Sequence, residues 1–186
     1  MATRVARPDG AKASFRELAS AADVSVSTLR HYFGDRDGAV AAAMAEMRRQ
    51  GESWMTITRT AELDLPLAAS LRWFLDLFVV GWERGVGAMI GQSMAAGMNH
   101  EALGPAVVDD LLEPTLQATE ARLAHHQARG DLDPAADLRH AALALVCPVL
   151  VALLHQRQLG GACRRPLDLP TLLDDHVARF VRAWGP

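Results

Sequence analysis

What the chain has little of narrows the field before anything else does. Only two of its 186 residues are cysteine. Cys147 sits in an apolar run and Cys163 in a Gly/Arg loop, which makes neither a disulfide framework nor a zinc pattern. Both read as reduced thiols of a cytoplasmic protein. Lys12 is the single lysine, so arginine carries nearly all positive charge. Four Trp, five Phe and one Tyr are few, and each is expected to pack or to touch a ligand. The seven histidines are scattered; the adjacent His125 and His126 would face different ways on a helix, a poor metal pair. There is no P-loop, no G-x-S-x-G and no H-E-x-x-H. No catalytic residue, metal ligand or cofactor is assigned, and the chain does not read as an enzyme. No signal-peptide pattern opens it. The longest apolar run, residues 141–154, holds fourteen residues with Pro148 inside, short of the ~20 that cross a membrane. It reads as a buried helix, with no membrane partner.

A net charge of −3 does not by itself indicate a nucleic-acid binder, but its distribution is uneven. Residues 1–50 hold eight basic and six acidic side chains, whereas residues 51–186 hold eleven and sixteen. The basic balance falls at the N-terminal end, as an electrostatic footprint on DNA would.

What is present is helical. Half of the residues are apolar, helix formers such as Ala, Leu and Arg dominate, and strand-period alternation is missing, so the fold class is all-α. Residues 14–40 carry the clearest punctuation. Ser14 and Glu17 form an S-x-x-E capping box. Phe15, Leu18, Ala19 and Ala22 repeat at helical spacing. The pattern breaks at Asp23, and Ser25 is an N-cap for a second helix whose inward residues are Leu29 and Phe33. Gly34 and Asp35 break and recap the chain before Arg36. Two short helices at a sharp angle form a helix-turn-helix, whose second member enters a DNA major groove.

This stretch resembles the DNA-binding domain of the tetracycline-repressor (TetR) family. The matching residues are Gly10, Ser14, Phe15, Leu18, Ala19, Ala22, Val24, Ser25, Thr28, Leu29, Tyr32, Phe33 and Arg36. Asp23 stands where the family has glycine, and Arg30 where it has tyrosine. Only nine residues precede Gly10, with Pro8 and Asp9 among them, so the family's first helix is expected to be truncated or missing. The resemblance implies that Thr28, Tyr32 and Arg36 touch DNA, with Arg36 on a phosphate. Ser27, Thr28 and His31 are placed to reach base edges or phosphates, and Arg30 to add a phosphate or guanine contact. Ser14, Ser25 and Val26, at the two helix starts, complete the DNA-binding set.

Further along, residues 36–50 read as a linker helix, and 51–64 as polar and partly helical around Trp54, Met55 and Ile57. Pro66 opens a helix that runs to about Trp82. Gly85 and Gly87 interrupt it, and a shorter helix covers 86–98. Gly104-Pro105 opens a long helix to about Arg129, in which Pro114 is expected to cause a kink or split. Asp133-Pro134 reads as the N-cap and first turn of a helix ending near Leu159. A last helix spans 170–184. The total is about nine helices, divided at residue 50 into a helix-turn-helix domain with its linker (1–50) and a helical effector-binding and dimerisation domain (51–186).

The helix at 134–159 is apolar around most of its circumference, and one chain has few elements to cover every side. A homodimer is the economical solution, and the resemblance implies one too. Its interface is assigned to Leu138, Ala142, Leu145, Val149 and Leu153, with Leu173, Val177, Phe180, Val181 and Trp184 of the last helix. Aromatic and methionine residues gather between 73 and 98, and Met suits irregular apolar pockets. Trp73, Phe74, Phe78, Trp82, Met89, Met94 and Met98, with Glu120 as a polar handle, are the ligand-binding candidates. The functional expectation is a ligand-responsive transcriptional regulator, a cytoplasmic repressor released from a palindromic double-stranded operator by a small, largely apolar effector. The alternative is a dimeric helical protein that binds a small molecule or partner and has lost DNA binding.

Overall fold

The computed structural model describes residues 13–50, 57, 60–99 and 101–186. Every regular element among them is helical, with eight α-helices of seven residues or more and two single turns. We label them α1 (Phe15–Ala21), α2 (Val26–Phe33), α3 (Arg36–Gln50), α4 (Leu67–Gly81), α5 (Gly87–Asn99), α6 (Gly104–Val107), α7 (Glu113–Ala128), α8 (Leu138–Leu153), α9 (Gly161–Arg164) and α10 (Leu169–Trp184). Gly10, the family's first helix, and the expected helical turn at Trp54 and Met55 lie outside the described residues.

The chain divides into two compact units. One is built from residues 1–53 and 88–114, the other from 54–87 and 115–186.

In the first unit, local chemistry sets each boundary. Ser14 Oγ accepts from the Glu17 amide at 3.3 Å, and Glu17 Oε2 accepts from the Ser14 amide at 2.7 Å. The reciprocal pair satisfies two N–H groups that the helix start leaves open. Asp23 takes a left-handed backbone, φ 54°, at the turn where the family pattern has glycine. Ser25 Oγ then accepts from the Thr28 amide at 3.0 Å and starts α2. Gly34, at φ 74° and ψ −73°, makes a three-residue turn closed by the Asp35 amide on the Phe33 carbonyl, 2.9 Å. Asp35 Oδ1 accepts from the Gly38 amide and caps α3. The stripe expected on α1 is buried at Leu18 and Ala19, and Leu29 of α2 joins it. Ala39, Val40 and Ala43 of α3 complete that core together with Ala96, Leu103 and Val107, so α5 and the residues that follow it close over the helix-turn-helix core. Pro114 disturbs its helix without breaking it. It lacks the N–H that the Asp110 carbonyl would accept and its ring crowds that carbonyl, and the turn Val108–Leu112 widens accordingly.

In the second unit, α10 packs on both α4 and α8. Leu71, Phe74 and Leu75 of α4, Leu145, Val149 and Leu153 of α8, and Leu173, Val177 and Phe180 of α10 are all buried. Each such side chain contributes about 1.5–3 kcal/mol. Gly85, at φ 103°, kinks the chain between α4 and α5, as the glycine pair predicts. The start of α8 differs from expectation. Asp133 and Pro134 form a turn, and α8 begins at Leu138, capped by Asp137 Oδ1 on the His140 amide. Asp133 Oδ1 is spent on the Ala135 amide, while Gln127 Nε2 donates to the carbonyls of Asp133, Pro134 and Ala136. A side chain six to nine residues upstream thus takes the carbonyls that a helix would have used. At its other end α8 continues through a wide turn, giving a 21-residue helix, Leu138–Gln158, whose most apolar 18-residue window has a mean hydropathy of 1.8. It is long and apolar enough to cross a membrane by length and composition, which the fourteen-residue run alone is not. In this fold its inward face is core of the second unit.

Candidate nucleic-acid interface and ligand region

The two faces of α2 differ sharply. Leu29 is 2% exposed, and Val26 and Phe33 pack half-buried against the same core. Ser27, Thr28, Arg30, His31 and Tyr32 are exposed, Tyr32 at 73%. Ser27, Thr28 and His31 point most directly away from the core, because they lie opposite the mean direction of Leu29, Val26 and Phe33 at about 100° per residue. Tyr32 and Arg30 flank them on either side. The Arg30 guanidinium lies over the Phe15 ring, 5.9 Å from its centroid, and the His31 and Tyr32 rings meet edge-on at 5.3 Å. Hydroxyls and an imidazole on one helix supply both donors and acceptors, and a flanking cation supplies phosphate attraction.

The remaining four DNA-binding candidates have other partners. Ser14 and Ser25 are engaged as caps, Ser25 also sharing its hydroxyl with Ser27 Oγ and Thr28 Oγ1. Val26 packs inward. Arg36 Nε donates to the Ala13 carbonyl at 2.9 Å and Nη1 pairs with Asp37 at 3.0 Å. Arg36 therefore fastens the start of α3 to the strand of chain entering α1.

The ligand candidates fall in both units. Phe74 and Trp82 are buried and Trp73 and Phe78 half-buried, all in the second unit. Phe74 and Phe78 meet edge-on at 5.1 Å. Glu120 is half-buried and paired with Arg139 at 2.9 Å. Met89, Met94 and Met98 belong to the first unit, where Met94 packs on the core and Met98 is 78% exposed.

Arg122 was missed at the level of sequence. It is fully buried, with its guanidinium 5.4 Å from the Trp73 ring and 5.2 Å from the Phe74 ring. Its Nη1 donates to Ser70 Oγ and its Nη2 to the Ala61 carbonyl. Burial pushes its pKa down to about 10, opposed by the charge of Glu62, and the group stays cationic at neutral pH. The available signal was its spacing. Arg122 stands three residues after buried Thr119 and four before buried His126, on the inward stripe of α7.

The residues assigned to a dimer interface build the protomer's own core. Ala142, Leu145, Val149, Leu153, Leu173, Val177 and Phe180 are buried within one chain, and Leu138, Val181 and Trp184 are half-buried. The opposite side of α8 carries Leu143, Cys147 and Val151, exposed at successive i+4 positions, Val151 at 62%. Beside that stripe, Pro148 and the α10 residues Thr171, Leu172, Asp175, His176 and Arg179 line a groove of about 440 Å³, which Leu167 and Asp168 close.

Three solved structures resemble the chain over nearly its whole length. A Mesorhizobium loti protein assigned to the TetR-family transcriptional regulators is 18% identical, with a TM-score of 0.73 over 100% of this chain and 93% of that one. Salmonella enterica GusR is 20% identical, with a TM-score of 0.72 over 97% and 91%. The regulatory protein TetR of Rhodobacter sphaeroides is 22% identical, with a TM-score of 0.58 over 97% and 93%. No family model and no curated protein matches the sequence. The architecture is thus that of helix-turn-helix proteins with an added helical bundle. Within that class, the chain has the fold of the TetR-family regulators.

Proposed function

We propose that the chain is a TetR-type transcriptional regulator, a cytoplasmic homodimer that reads a palindromic operator with two copies of α2. Residues 1–50 would read the DNA, and 51–186 would bind the effector and the second protomer. The observation that carries the reading is the presentation of Ser27, Thr28 and His31 away from a packed core, on a short capped helix behind a tight turn. A two-fold partner fits the uncovered apolar stripe of α8 and would set the spacing of the recognition helices. A small, largely apolar effector fits the aromatic residues of α4. Coupling of about 1–3 kcal/mol between effector and DNA would be enough to shift operator occupancy. Repression rather than activation rests on the family resemblance alone.

The test is selection of genomic fragments by the full chain. Enrichment of one inverted repeat, with affinity lost on Thr28→Ala plus His31→Ala, is the expected result. Failure to enrich any sequence sinks the DNA reading in favour of a dimeric binding protein without an operator.

A further inference from the structure

The aromatic face of α4 ends in an unusual group. Trp82 is 4% exposed, and its indole Nε1–H finds no acceptor among the described residues. Buried donors are nearly always paired, because an unmade hydrogen bond leaves the desolvation of the donor uncompensated. The local backbone keeps the indole in this place. A Cβ on Gly87 would collide with the pyrrole edge of the Trp82 ring, so only glycine admits the indole there. Gly85 supplies the kink, and Glu83, Arg84, Gly85 and Val86 are all exposed. Glu83 is held by Arg157 at 3.0 Å. One and two turns before Trp82, on the same face, stand Phe78 and Phe74 with their rings in edge contact.

From the unpaired donor beside an aromatic face, we infer that Trp82 Nε1–H is a ligand-binding donor. It takes the carbonyl-type oxygen of a small aromatic or apolar molecule whose body lies along the half-buried Phe78. This deepens the effector reading above and rests on it for biological meaning, but its test requires no DNA. A ligand lacking an acceptor leaves the donor unpaired, as it is in the free protein, and binds more weakly by the bond it cannot make.

Two probes of matched shape isolate the oxygen: acetophenone and α-methylstyrene, in which C=CH2 replaces C=O. The readout is the indole N–H spectrum of 15N-tryptophan-labelled protein, with the Trp82 resonance assigned by its loss in Trp82→Phe. Should that variant not fold, Trp54→Phe, Trp73→Phe and Trp184→Phe together leave Trp82 as the remaining indole. Acetophenone is expected to move the Trp82 resonance downfield and to bind roughly tenfold tighter than α-methylstyrene, the size of one neutral hydrogen bond. In Trp82→Phe the preference disappears. A Trp82 resonance unmoved by acetophenone, moved equally by both probes, or already at a hydrogen-bonded position without either overturns the inference. A selected operator alongside any of those results leaves the DNA reading standing and removes only the ligand assignment.

Discussion

His176 of α10 donates from Nε2 to the main-chain carbonyl of Leu145 in α8, at 2.9 Å. The acceptor lies three residues before Pro148, whose missing N–H already leaves the Ala144 carbonyl without its helical donor. A carbonyl can only accept, so the bond fixes a proton on Nε2 and ties two helices where one of them is weakened. His176→Phe should cost about 1–2 kcal/mol, and His176→Gln, which keeps a donor, should cost less. Thermal melts of both variants decide it; equal melting temperatures for the wild type and His176→Phe would show that the tie contributes nothing.

Gly34 should tolerate no substitution. Its φ of 74° with ψ of −73° belongs to a three-residue turn that side chains strain against. Gly34→Ala is expected to destabilise the protein by about 1–3 kcal/mol and to weaken DNA binding through misplacement of α2. Urea titration with the substituted protein checks the first effect, and no loss there means that the turn relaxes freely.

Acid should weaken the second unit through His126. The imidazole is fully buried, and its Nδ1 lies 2.9 Å from Asp131 Oδ2. Burial lowers its pKa below the ordinary 6.5, outweighing the upward pull of Asp131; the charges of Arg129 and His125 push it the same way as burial. The unfolded chain then binds the proton first, so stability is fully present above pH 6.5 and declines as the pH falls below it. Asp131, held below 3.8 chiefly by its bond with His126, adds a second loss as the pH falls through that lower range. Urea midpoints should fall from pH 7.5 to 5.5, and His126→Asn should flatten the trend. A wild-type midpoint indifferent to pH in this window contradicts the assignment.

Arg36 and Arg30 should separate in their effects on DNA binding. Arg36 is tied to Ala13 and Asp37, so Arg36→Ala should lower the melting temperature and weaken binding to every sequence together. Arg30 is exposed, so Arg30→Ala should leave the fold intact and reduce the salt slope of operator binding by about 1. Fluorescence anisotropy across a salt series distinguishes them; an unchanged slope in Arg30→Ala removes it from the phosphate contacts.

Val151→Arg should leave the protomer folded, because Val151 is 62% exposed, and should convert a dimer to monomers. Sedimentation velocity with circular dichroism tests both halves. A variant that stays dimeric moves the interface away from the outer stripe of α8.

Much of the local chemistry was legible in the chain. The Ser14–Glu17 box, the Ser25 cap, the breaks at Gly34 and Gly85 and the disruption at Pro114 all act within a few residues, and each appears where its spacing places it. Partners beyond one helical turn were not legible. Gln127 takes the carbonyls after Asp133 and moves the start of α8 to Leu138, although the Asp-Pro pair taken alone signals a helix. The circumference of α8 is apolar enough that either face could serve as core, and only the packing of α4 and α10 decides that Leu145 and Val149 turn inward while Leu143 and Val151 stay outside. Arg122 shows the same limit, since its position beside Trp73 and Phe74 depends on two helices far apart in the chain meeting. Sequence by itself determined most of the helices, the caps of α1 and α2 and the exposed face of α2, because backbone capping and helical periodicity are short-range. The tertiary structure decided which apolar face is core and which polar groups are buried, because burial depends on what the rest of the chain brings alongside.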